Sequence, residues 1–500
     1  MNRSSRPDAA TQRPRVAIIG SGFGGLGAAV ALKRAGFGDI TILERATDIG
    51  GVWRDNTYPG AACDVQSYLY SFSFAPNNEW SQMFSPRSEI HDYLRAVARD
   101  HDLLRHLRLN CPVESARWDA EALLWRLTTP QGEIEAEHVV VATGALADPV
   151  IPQLPGIDSF AGAVFHSSRW DHDLDLAGKR VAVVGTGASA IQFVPAIQPI
   201  VDQLNVFQRT PAWIMPRHDR AISRREKAAL RLLPPLHRLR RAAIYVKREF
   251  QILAFRNPAL MKIAERTALK HLETQVKDPD LRAKLTPTYR IGCKRILISN
   301  DYLPALDAPN ADVVTAGIQK VVPDGIVDST GALHEADVII FGTGFKTDGL
   351  PLTDRIYNAD GTSMADAWGD SPRAYLGTMV TGFPNLYLIH GPNIGLGHTS
   401  VITMFEAQSR YLVDAIAHAT QKNAATVEPT PQAQAEYVLT VDDLTKGTVW
   451  TSGGCTSWYL DKTGRNSNLW PGATFDYHRR TRRFTAADHS TRTPEKAVQA

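Results

Sequence analysis

Cysteine is scarce in this sequence, and its four cysteines stand far apart, at Cys63, Cys111, Cys293 and Cys455. No C-x-x-C motif occurs, so the sequence supports neither a zinc knuckle nor a dithiol redox pair, and we predict no metal site. Four scattered cysteines in so long a chain are typical of a reducing compartment. The polar residues 1–14 also lack the apolar stretch of a signal peptide, so we expect a cytoplasmic protein.

Long apolar runs and a large excess of one charge are missing as well. The longest uncharged apolar stretch, residues 16–32, is rich in glycine and falls short of the roughly 20 residues of a membrane span. The net charge of +3 is too small to argue for a nucleic-acid partner. A chain of 500 residues with 44% hydrophobic and 21% charged residues is typical of a soluble enzyme of two or three domains.

The chain contains two copies of one plan, a strand, a Gly-rich turn, a helix, a strand and a later strand that ends in Thr-Gly. The predicted strands cover residues 16–19, 41–44 and 138–142 in the first copy and 181–184, 205–208 and 337–341 in the second. This pattern predicts an α/β protein with two Rossmann-like dinucleotide-binding domains. A helical insertion is expected at about 217–288, and a disordered tail after about Ala486.

The first Gly-rich turn carries the glycines of a dinucleotide site. Gly20, Gly22 and Gly25 form G-x-G-x-x-G between a strand and a helix, which favours a tight turn that approaches a pyrophosphate. The helix N-terminus supplies free N–H groups for the phosphates. Glu44, 19 residues further on, suits two ribose hydroxyls and repels a 2′-phosphate, so this site is predicted to bind FAD or NAD.

The second turn has a related pattern with a different charge. Gly185, Gly187 and Ala190 form G-x-G-x-x-A, and Arg209-Thr210 stands where the first site has its acid. A cation and a hydroxyl accommodate a 2′-phosphate, so this site is predicted to bind NADP. A protein that holds FAD and NADPH together transfers hydride to the flavin. Because no disulfide-reductase cysteine motif is present, oxygen is the expected acceptor of the electrons.

Two further segments match the signatures of a known family. Gly50-Gly51-Val52-Trp53, Tyr58-Pro59-Gly60 and Asp64 fit G-G-x-W-x-x-x-x-Y-P-G-x-x-x-D. The positions of F-x-G-x-x-x-H-x-x-x-W-D are filled by Phe160, Gly162, His166, Trp170 and Asp171. The sequence from about residue 16 to 477 thus resembles the type I Baeyer–Villiger monooxygenases, class B flavoproteins that use FAD, NADPH and oxygen to convert ketones into esters or lactones. The resemblance implies an FAD domain of residues 1–144 and 345–500, the latter with a C-terminal loop region, and an NADP domain of residues 150–344.

The resemblance also implies roles for individual residues. Asp64 and Arg295 match the family's catalytic aspartate and arginine, and Lys294 matches a lysine beside the NADP phosphate. Tyr70 and Trp458 match aromatic residues near FAD and NADP. Further expected cofactor contacts are Phe23, Gly24, Gly51, Val52, Trp53, Val113, Thr186, Ala188, Ser189, Ala190, Gln192 and Thr210.

The chemistry asks for such residues independently. A flavin peroxide must remain anionic to attack a carbonyl, and a guanidinium holds an anion without donating its proton to it. The same cation stabilises the oxyanion that forms on attack, and Asp64 is expected to position it. The bound NADP is expected to shield the peroxide from water.

Several alternatives stay open at this stage. The same flavin chemistry can oxygenate nitrogen or sulfur, with sulfoxidation as a side activity, and a catalytically silent flavoprotein is a second rival. His166 fits either a structural residue or a joint that couples NADP binding to domain position, and His398 fits either a loop residue or a substrate contact. The basic segment 217–250 fits a solvated helical insertion or a membrane-surface segment. The identity of the ketone and the oligomeric state are left undetermined.

Overall fold

The fold is described from a computed structural model, which covers residues 13–347 and 349–493. The strands are β1 (Val16–Ile19), β2 (Ile40–Leu43), β3 (Leu107–Arg108), β4 (Ser115–Asp119), β5 (Leu124–Thr129), β6 (Gly132–Ala136), β7 (His138–Val141), β8 (Ala163–His166), β9 (Arg180–Val184), β10 (Gln203–Phe207), β11 (Ile214–Met215), β12 (Leu297–Ile298), β13 (Ala311–Val314), β14 (Ile318–Val322), β15 (Gly325–Asp328), β16 (Leu333–Glu335), β17 (Val338–Phe341), β18 (Ile356–Tyr357), β19 (Leu386–Leu388), β20 (Thr426–Pro429) and β21 (His489–Arg492). The helices are α1 (Phe23–Arg34), α2 (Val52–Asp55), α3 (Arg87–Asp100), α4 (Ala190–Ile197), α5 (Arg224–Leu232), α6 (Pro234–Glu249), α7 (Gln251–Arg256), α8 (Met261–Gln275), α9 (Pro279–Leu285), α10 (Tyr302–Leu306), α11 (Met364–Trp368), α12 (Val401–Gln421), α13 (Pro431–Thr445), α14 (Val449–Ser452) and α15 (Thr474–Arg480).

Two five-stranded parallel sheets form the frame of the molecule, which confirms the predicted α/β class. The first sheet has the strand order β19-β7-β1-β2-β3, and the second has the order β13-β10-β9-β17-β8. Their central strands are continuous apolar runs, because helices or loops cover a parallel sheet on both faces. Strand β1 reads Val-Ala-Ile-Ile and strand β17 reads Val-Ile-Ile-Phe, and every residue of both is buried.

The first sheet is built from both ends of the chain. Its edge strand β19 pairs with β7, and helix α12 packs on α1 across the face of the sheet. All five strands of the second sheet come from residues 163–341. Helices α5 to α9, residues 224–285, fall in the stretch predicted to be helical.

The expectation of a disordered tail is wrong for the part of the tail that the structure describes. Strand His489–Arg492 pairs antiparallel with Thr426–Pro429, and the Tyr411 hydroxyl lies 2.9 Å from His489 Nε2. Because this segment is polar, its composition did not predict the strand that pairs with β20. The remainder of the predicted tail, residues 494–500, lies outside the described residues.

Among the helices of the described ranges, none is both long enough and apolar enough to cross a bilayer.

Candidate active site

The first Gly-rich turn has the close approaches that its glycines predict. Gly20 has a φ of +103°, and a Cβ atom there would lie 2.5 Å from the main-chain oxygen of Ala142 on the neighbouring strand. A Cβ atom on Gly25 would lie 1.9 Å from the oxygen of Gly20. Helix α1 follows without a side-chain cap and without an acid in its first turn, so its N–H groups remain available to a phosphate.

Glu44 is buried at the end of β2, with 4% of its surface exposed, and is therefore not a solvated strand-end charge. Its Oε2 accepts hydrogen bonds from the amide and hydroxyl of Ser21, at 3.1 and 2.6 Å, and its Oε1 accepts one from the amide of Ala46 at 3.0 Å. The Arg54 guanidinium lies 3.0 Å from the same Oε1. The carboxylate is thus fixed beside the glycine turn by a serine and an arginine that sequence reasoning missed.

The Gly-Gly-Val-Trp segment folds against this turn. Gly51 has a φ of +54°, and a Cβ atom on it would lie 3.5 Å from Cα of Gly22, so two glycine-bearing turns form one cradle. The indole N–H of Trp53 donates to the Tyr70 hydroxyl at 3.1 Å, and the Tyr70 ring meets Phe23 edge-on at 5.3 Å. Burial raises the pKa of Tyr70, so its hydroxyl stays protonated. A cradle open to main-chain groups and lined by aromatic rings fits a flavin nucleotide.

Two further residues expected near the first site, Val113 and Gly24, are buried in the fold. Val113 is buried in an apolar cluster with Leu43 and Cys111. The amide of Cys111 donates to the main-chain oxygen of Glu44 at 2.8 Å, so this segment lies along the end of β2. Gly24 is buried against Ile389, where a Cβ atom would come within 2.7 Å of that side chain. The structure therefore gives both residues packing contacts beside the turn.

The second turn repeats the geometry of the first. Gly185 has a φ of +108°, and its Cβ would lie 2.6 Å from the oxygen of Gly342. Helix α4 begins at Ala190 after Ser189, without a side-chain cap or an acid in its first turn. The Thr186 hydroxyl donates to the main-chain oxygen of Thr210 at 3.3 Å, which ties the turn to the segment that carries Arg209.

Two cations lie together at this second turn. Burial lowers the pKa of Lys294, and the charge of Arg209 lowers it further, so the two cations are near enough to interact. Lys294 also lies over the Tyr289 ring, 5.1 Å from its centre. Within residues 13–347 and 349–493, neither Arg209 nor Lys294 has a carboxylate within 4.0 Å. Such a pair of cations attracts an anion such as a 2′-phosphate.

Gln192 joins helix α4 to the segment that follows α2. Its amide donates to the oxygen of Ala62 at 3.0 Å, and its Oε1 accepts from the Tyr58 hydroxyl and the Ala62 amide at 3.0 and 3.2 Å. Gly60, with a φ of +78°, approaches so closely that a Cβ there would lie 2.6 Å from the oxygen of Gln192. The cofactor contact of Gln192 stays a prediction, and the structure shows that its amide also holds the Tyr58–Ala62 segment against helix α4.

Asp64 and Arg295 meet although 231 residues separate them in the chain. The Arg295 Nε and Nη2 atoms lie 3.0 and 2.5 Å from Asp64 Oδ2. The Arg295 side chain is 41% exposed and the Asp64 side chain is 26% exposed, so solvent reaches both partners of the ion pair. Burial opposes ionisation of Asp64, yet the Arg295 cation outweighs it and holds the pKa of the carboxyl below its ordinary value. Asp64 in turn raises the pKa of Arg295.

A disulfide bond between Cys293 and Cys455 fastens the arginine loop to the C-terminal loop. The expectation that this chain has no cysteine pair is therefore wrong. A separation of 162 residues leaves no spacing motif, and only the fold brings the two sulfur atoms together. Trp458, on the same C-terminal loop, is partly exposed, and its ring lies 4.6 Å from that of Tyr459.

The residues of the second signature make packing and turn contacts in this molecule. A Cβ on Gly162 would lie 2.1 Å from the oxygen of Asp337, and the Phe160 ring packs over the same glycine. His166 ends β8, where its Nδ1 accepts from the amide of Ser168 at 3.1 Å. Trp170 packs edge-on against Phe165, at 5.3 Å between ring centres. Asp171 accepts a hydrogen bond from the amide two residues later, at 3.1 Å, and closes the turn after the strand.

His398 is buried beside the helical insertion. Its Nε2 lies 3.5 Å from Glu249 Oε2 on α6 and 3.3 Å from the Thr474 hydroxyl. Burial opposes the charge of Glu249, but its interactions with His398, Thr474 and the amide of Phe475 together hold the pKa of Glu249 below its ordinary value. His398 thus anchors the insertion to the segment before α12.

One sizeable cavity lies away from this site. A volume of about 940 Å³ lies between α1, α6 and α12 and is lined by Val30, Phe74, Arg241 and Glu406 among others. No residue predicted to bind a cofactor lines it within the described ranges.

Comparison with known proteins gives this geometry a family. The model of the family "Flavin-binding monooxygenase-like" matches residues 13–360. A Baeyer–Villiger monooxygenase of Streptomyces coelicolor is 51% identical over 97% of this chain and 93% of its own length. Cyclohexanone monooxygenase from Rhodococcus sp. Phi1, bound to NADP+, is similar with a TM-score of 0.85 and 28% identity, over 96% of this chain and 99% of that one. The OTEMO complex with FAD and NADP is similar with a TM-score of 0.86 and 27% identity, over 96% and 100% of the two chains. This chain therefore belongs to the flavin-binding monooxygenase-like family and, within it, to the Baeyer–Villiger monooxygenases.

Proposed function

We propose that this protein converts a ketone, NADPH, a proton and oxygen into an ester or lactone, NADP+ and water. The observation that carries the proposal is the Asp64–Arg295 ion pair, which joins the end of the first signature to the Arg295 loop. FAD, when bound, supplies the oxygen-activating chemistry, and NADPH supplies the hydride. The residues of this chain bind these groups, hold charge where the carbonyl reacts, and exclude water.

We assign the electrostatic role to Arg295. A guanidinium stays charged at any working pH, and the neighbouring Asp64 raises its pKa further. It can stabilise the oxyanion that develops when a carbonyl is attacked, without giving up its proton. Asp64 holds Arg295 through two hydrogen bonds, which keeps the cation from turning into solvent.

We assign the two nucleotides to the two sheets. The cradle of Gly20, Gly22 and Gly51, with Glu44 buried beside it, suits FAD. The uncapped start of α4, with Arg209 and Lys294, suits NADPH. On this assignment residues 1–144 and 345–500 form the FAD domain, residues 150–344 form the NADP domain, and the ketone enters between them.

The proposed location remains the cytoplasm. Because Cys293 is fully buried, thiolates in a reducing cytoplasm would have to attack the disulfide bond at the partly buried Cys455. No nucleic-acid partner is proposed for a chain of net charge +3.

The variant Arg295→Ala tests the proposed function. We expect it to retain FAD and to oxidise NADPH, while the yield of ester from a cyclic ketone falls by about 10²- to 10³-fold, the usual effect of losing one oxyanion donor. Arg290→Ala is the matched control, because Arg290 lies in the same loop but pairs with Glu265 at 2.7 Å. Ester formation at the wild-type rate in Arg295→Ala would overturn the assignment. Sulfoxide from a thioether, without ester from any ketone of a panel, would instead favour an S-oxygenating enzyme.

A further inference from the structure

The helical insertion turns an apolar stripe toward solvent. Helices α6 and α7 are nearly continuous, because Phe250 between them keeps helical angles of φ −61° and ψ −21°. On their outer face apolar residues recur every three or four positions, and all are exposed, Leu239 to 67% and Phe250 to 66%. We call these residues the outer stripe: Leu236, Leu239, Ala243, Val246, Phe250 and Leu253.

Buried polar contacts fix this orientation of the helices. The Arg241 guanidinium donates to the main-chain oxygens of Tyr68, Leu69 and Ser71, at 2.8 to 3.2 Å. Arg248 donates to the side-chain oxygen of Gln66 at 2.9 Å. The inner face of α6 is thus held by arginines, which is the reverse of an ordinary surface helix. The outer stripe cannot turn inward without breaking these bonds.

The stripe is framed by positive charge. Residues 231–256 contain seven basic residues and one acid, a charge of +6 in a chain whose total is +3. Four of the basic side chains are exposed, those of Arg231, Arg238, Lys247 and Arg256. The acid, Glu249, is turned toward His398 and the amide of Phe475. A second copy docked on this face by twofold symmetry would bring like charges together, which opposes self-association.

Apolar side chains are also exposed outside these two helices. Ile263 on α8 is exposed to 66%, with Lys262 and Arg266 exposed on either side of it. Phe475, whose amide lies 3.3 Å from Glu249 Oε1, is also exposed next to the end of α6. The exposed apolar side chains that share one face in the outer stripe mark an interaction site rather than ordinary solvated surface.

We propose that the outer stripe docks this protein on an anionic lipid bilayer. Apolar side chains on one helix face, flanked by arginine and lysine, are the features of a helix that lies in the interface of a membrane. The apolar groups enter the boundary between headgroups and acyl chains, and the cations contact the anionic headgroups. A membrane made only of neutral lipid lacks the second interaction and is bound weakly.

Vesicle sedimentation with the FAD-loaded full-length protein tests the proposal. We expect binding to phosphatidylcholine vesicles that contain phosphatidylglycerol, with little binding to phosphatidylcholine alone. The triple variant Leu239→Gln, Val246→Gln, Phe250→Gln should bind at least about tenfold more weakly, because its apolar contacts are lost. Because these side chains face solvent, its NADPH oxidation with a water-soluble ketone should match that of wild type.

Matched controls separate this surface from general stickiness. The variant Leu104→Gln, Leu333→Gln, Leu439→Gln removes three apolar side chains that are exposed elsewhere and should bind like wild type. Removal of Arg238 or Lys247 should weaken binding roughly fivefold each, and added salt should do the same.

Three results would overturn the proposal. The first is no binding of wild type to the anionic vesicles, and the second is equal binding by the triple variant. The third is a dimer that the triple substitution dissociates while vesicle binding is absent, which would assign the stripe to a second copy of the chain.

Discussion

Replacing Arg209 by alanine tests whether the second nucleotide site selects a phosphorylated ribose. Arg209 follows β10 and lies near enough to Lys294 to lower its pKa. A charge-assisted hydrogen bond to a phosphate contributes about 1.5–3 kcal/mol. Because Arg209 is exposed, solvent screening favours the lower end of that range, and about 1.5 kcal/mol is roughly a tenfold loss of kcat/KM for NADPH.

The same substitution has a second, pH-dependent effect through Lys294. Burial and the Arg209 charge both hold the pKa of Lys294 below its ordinary value, so the lysine loses its proton at a lower pH than a free lysine. Without Arg209 that pKa rises, and Lys294 stays charged to higher pH. The alkaline fall of kcat/KM for NADPH should therefore move to higher pH in Arg209→Ala, although the plateau is lower.

The assay compares kcat/KM for NADPH and NADH in wild type and Arg209→Ala across pH 7 to 10. We expect kcat/KM for NADH, which lacks the 2′-phosphate, to change little, both in its plateau and in its alkaline limb. Arg105→Ala is a suitable control, because Arg105 is also exposed but belongs to the first sheet and pairs with Asp102 at 2.8 Å. Equal losses with both nucleotides, or an alkaline limb that does not move, would refute the reasoning.

Four further outcomes are expected. Gly60→Ala should destabilise the protein by about 2–3 kcal/mol in thermal unfolding, because its φ of +78° and a 2.6 Å approach to helix α4 leave no room for a Cβ; an unchanged melting temperature would contradict this. Asp64→Asn should retain FAD and reduction by NADPH but release more hydrogen peroxide per ester, and unchanged coupling would deny Asp64 a positioning role. Burial lowers the pKa of His138 to about 4, below the unfolded value near 6.5. Protonation of the unfolded chain should therefore remove about 2 kcal/mol of stability between pH 7 and 5. The variant His138→Gln should lose less stability over this range, measured as the shift of the melting temperature. The denatured, unreduced chain should titrate as two thiols and the reduced chain as four, whereas four thiols without reductant would disprove the Cys293–Cys455 bond.

Local patterns were sufficient for the nucleotide turns. Glycines at Gly20 and Gly185 are required by positive φ angles and by contacts with the adjacent strand, both of which act within a short stretch of chain. The same locality explains why the strands and the parallel class could be predicted from apolar runs. The insertion was also readable, because its composition of Arg, Lys, Leu and Ala favours helix.

Long-range partners could not be read from the sequence. Nothing in the spacing indicates that Arg54 would pair with Glu44, or that Cys455 would meet Cys293. The direction of the insertion was equally hidden, because a helical repeat of apolar residues normally faces the core. Here three-dimensional packing places arginines inside and the apolar repeat outside, and only the contacts of Arg241 and Arg248 reveal it.

The segment from Gly50 to Asp64 shows why one signature needs so many fixed positions. Its start forms the cradle with Gly22, its Tyr58 and Gly60 contact Gln192 on helix α4, and its last residue holds Arg295. One short stretch therefore links the first Gly-rich turn, helix α4 and the Arg295 cation. A shift of this segment would move all three together, so a residue such as Gly60 can affect the reaction without touching any reacting atom. That coupling distinguishes the signature from a set of independent ligands, for which each substitution would alter one contact alone.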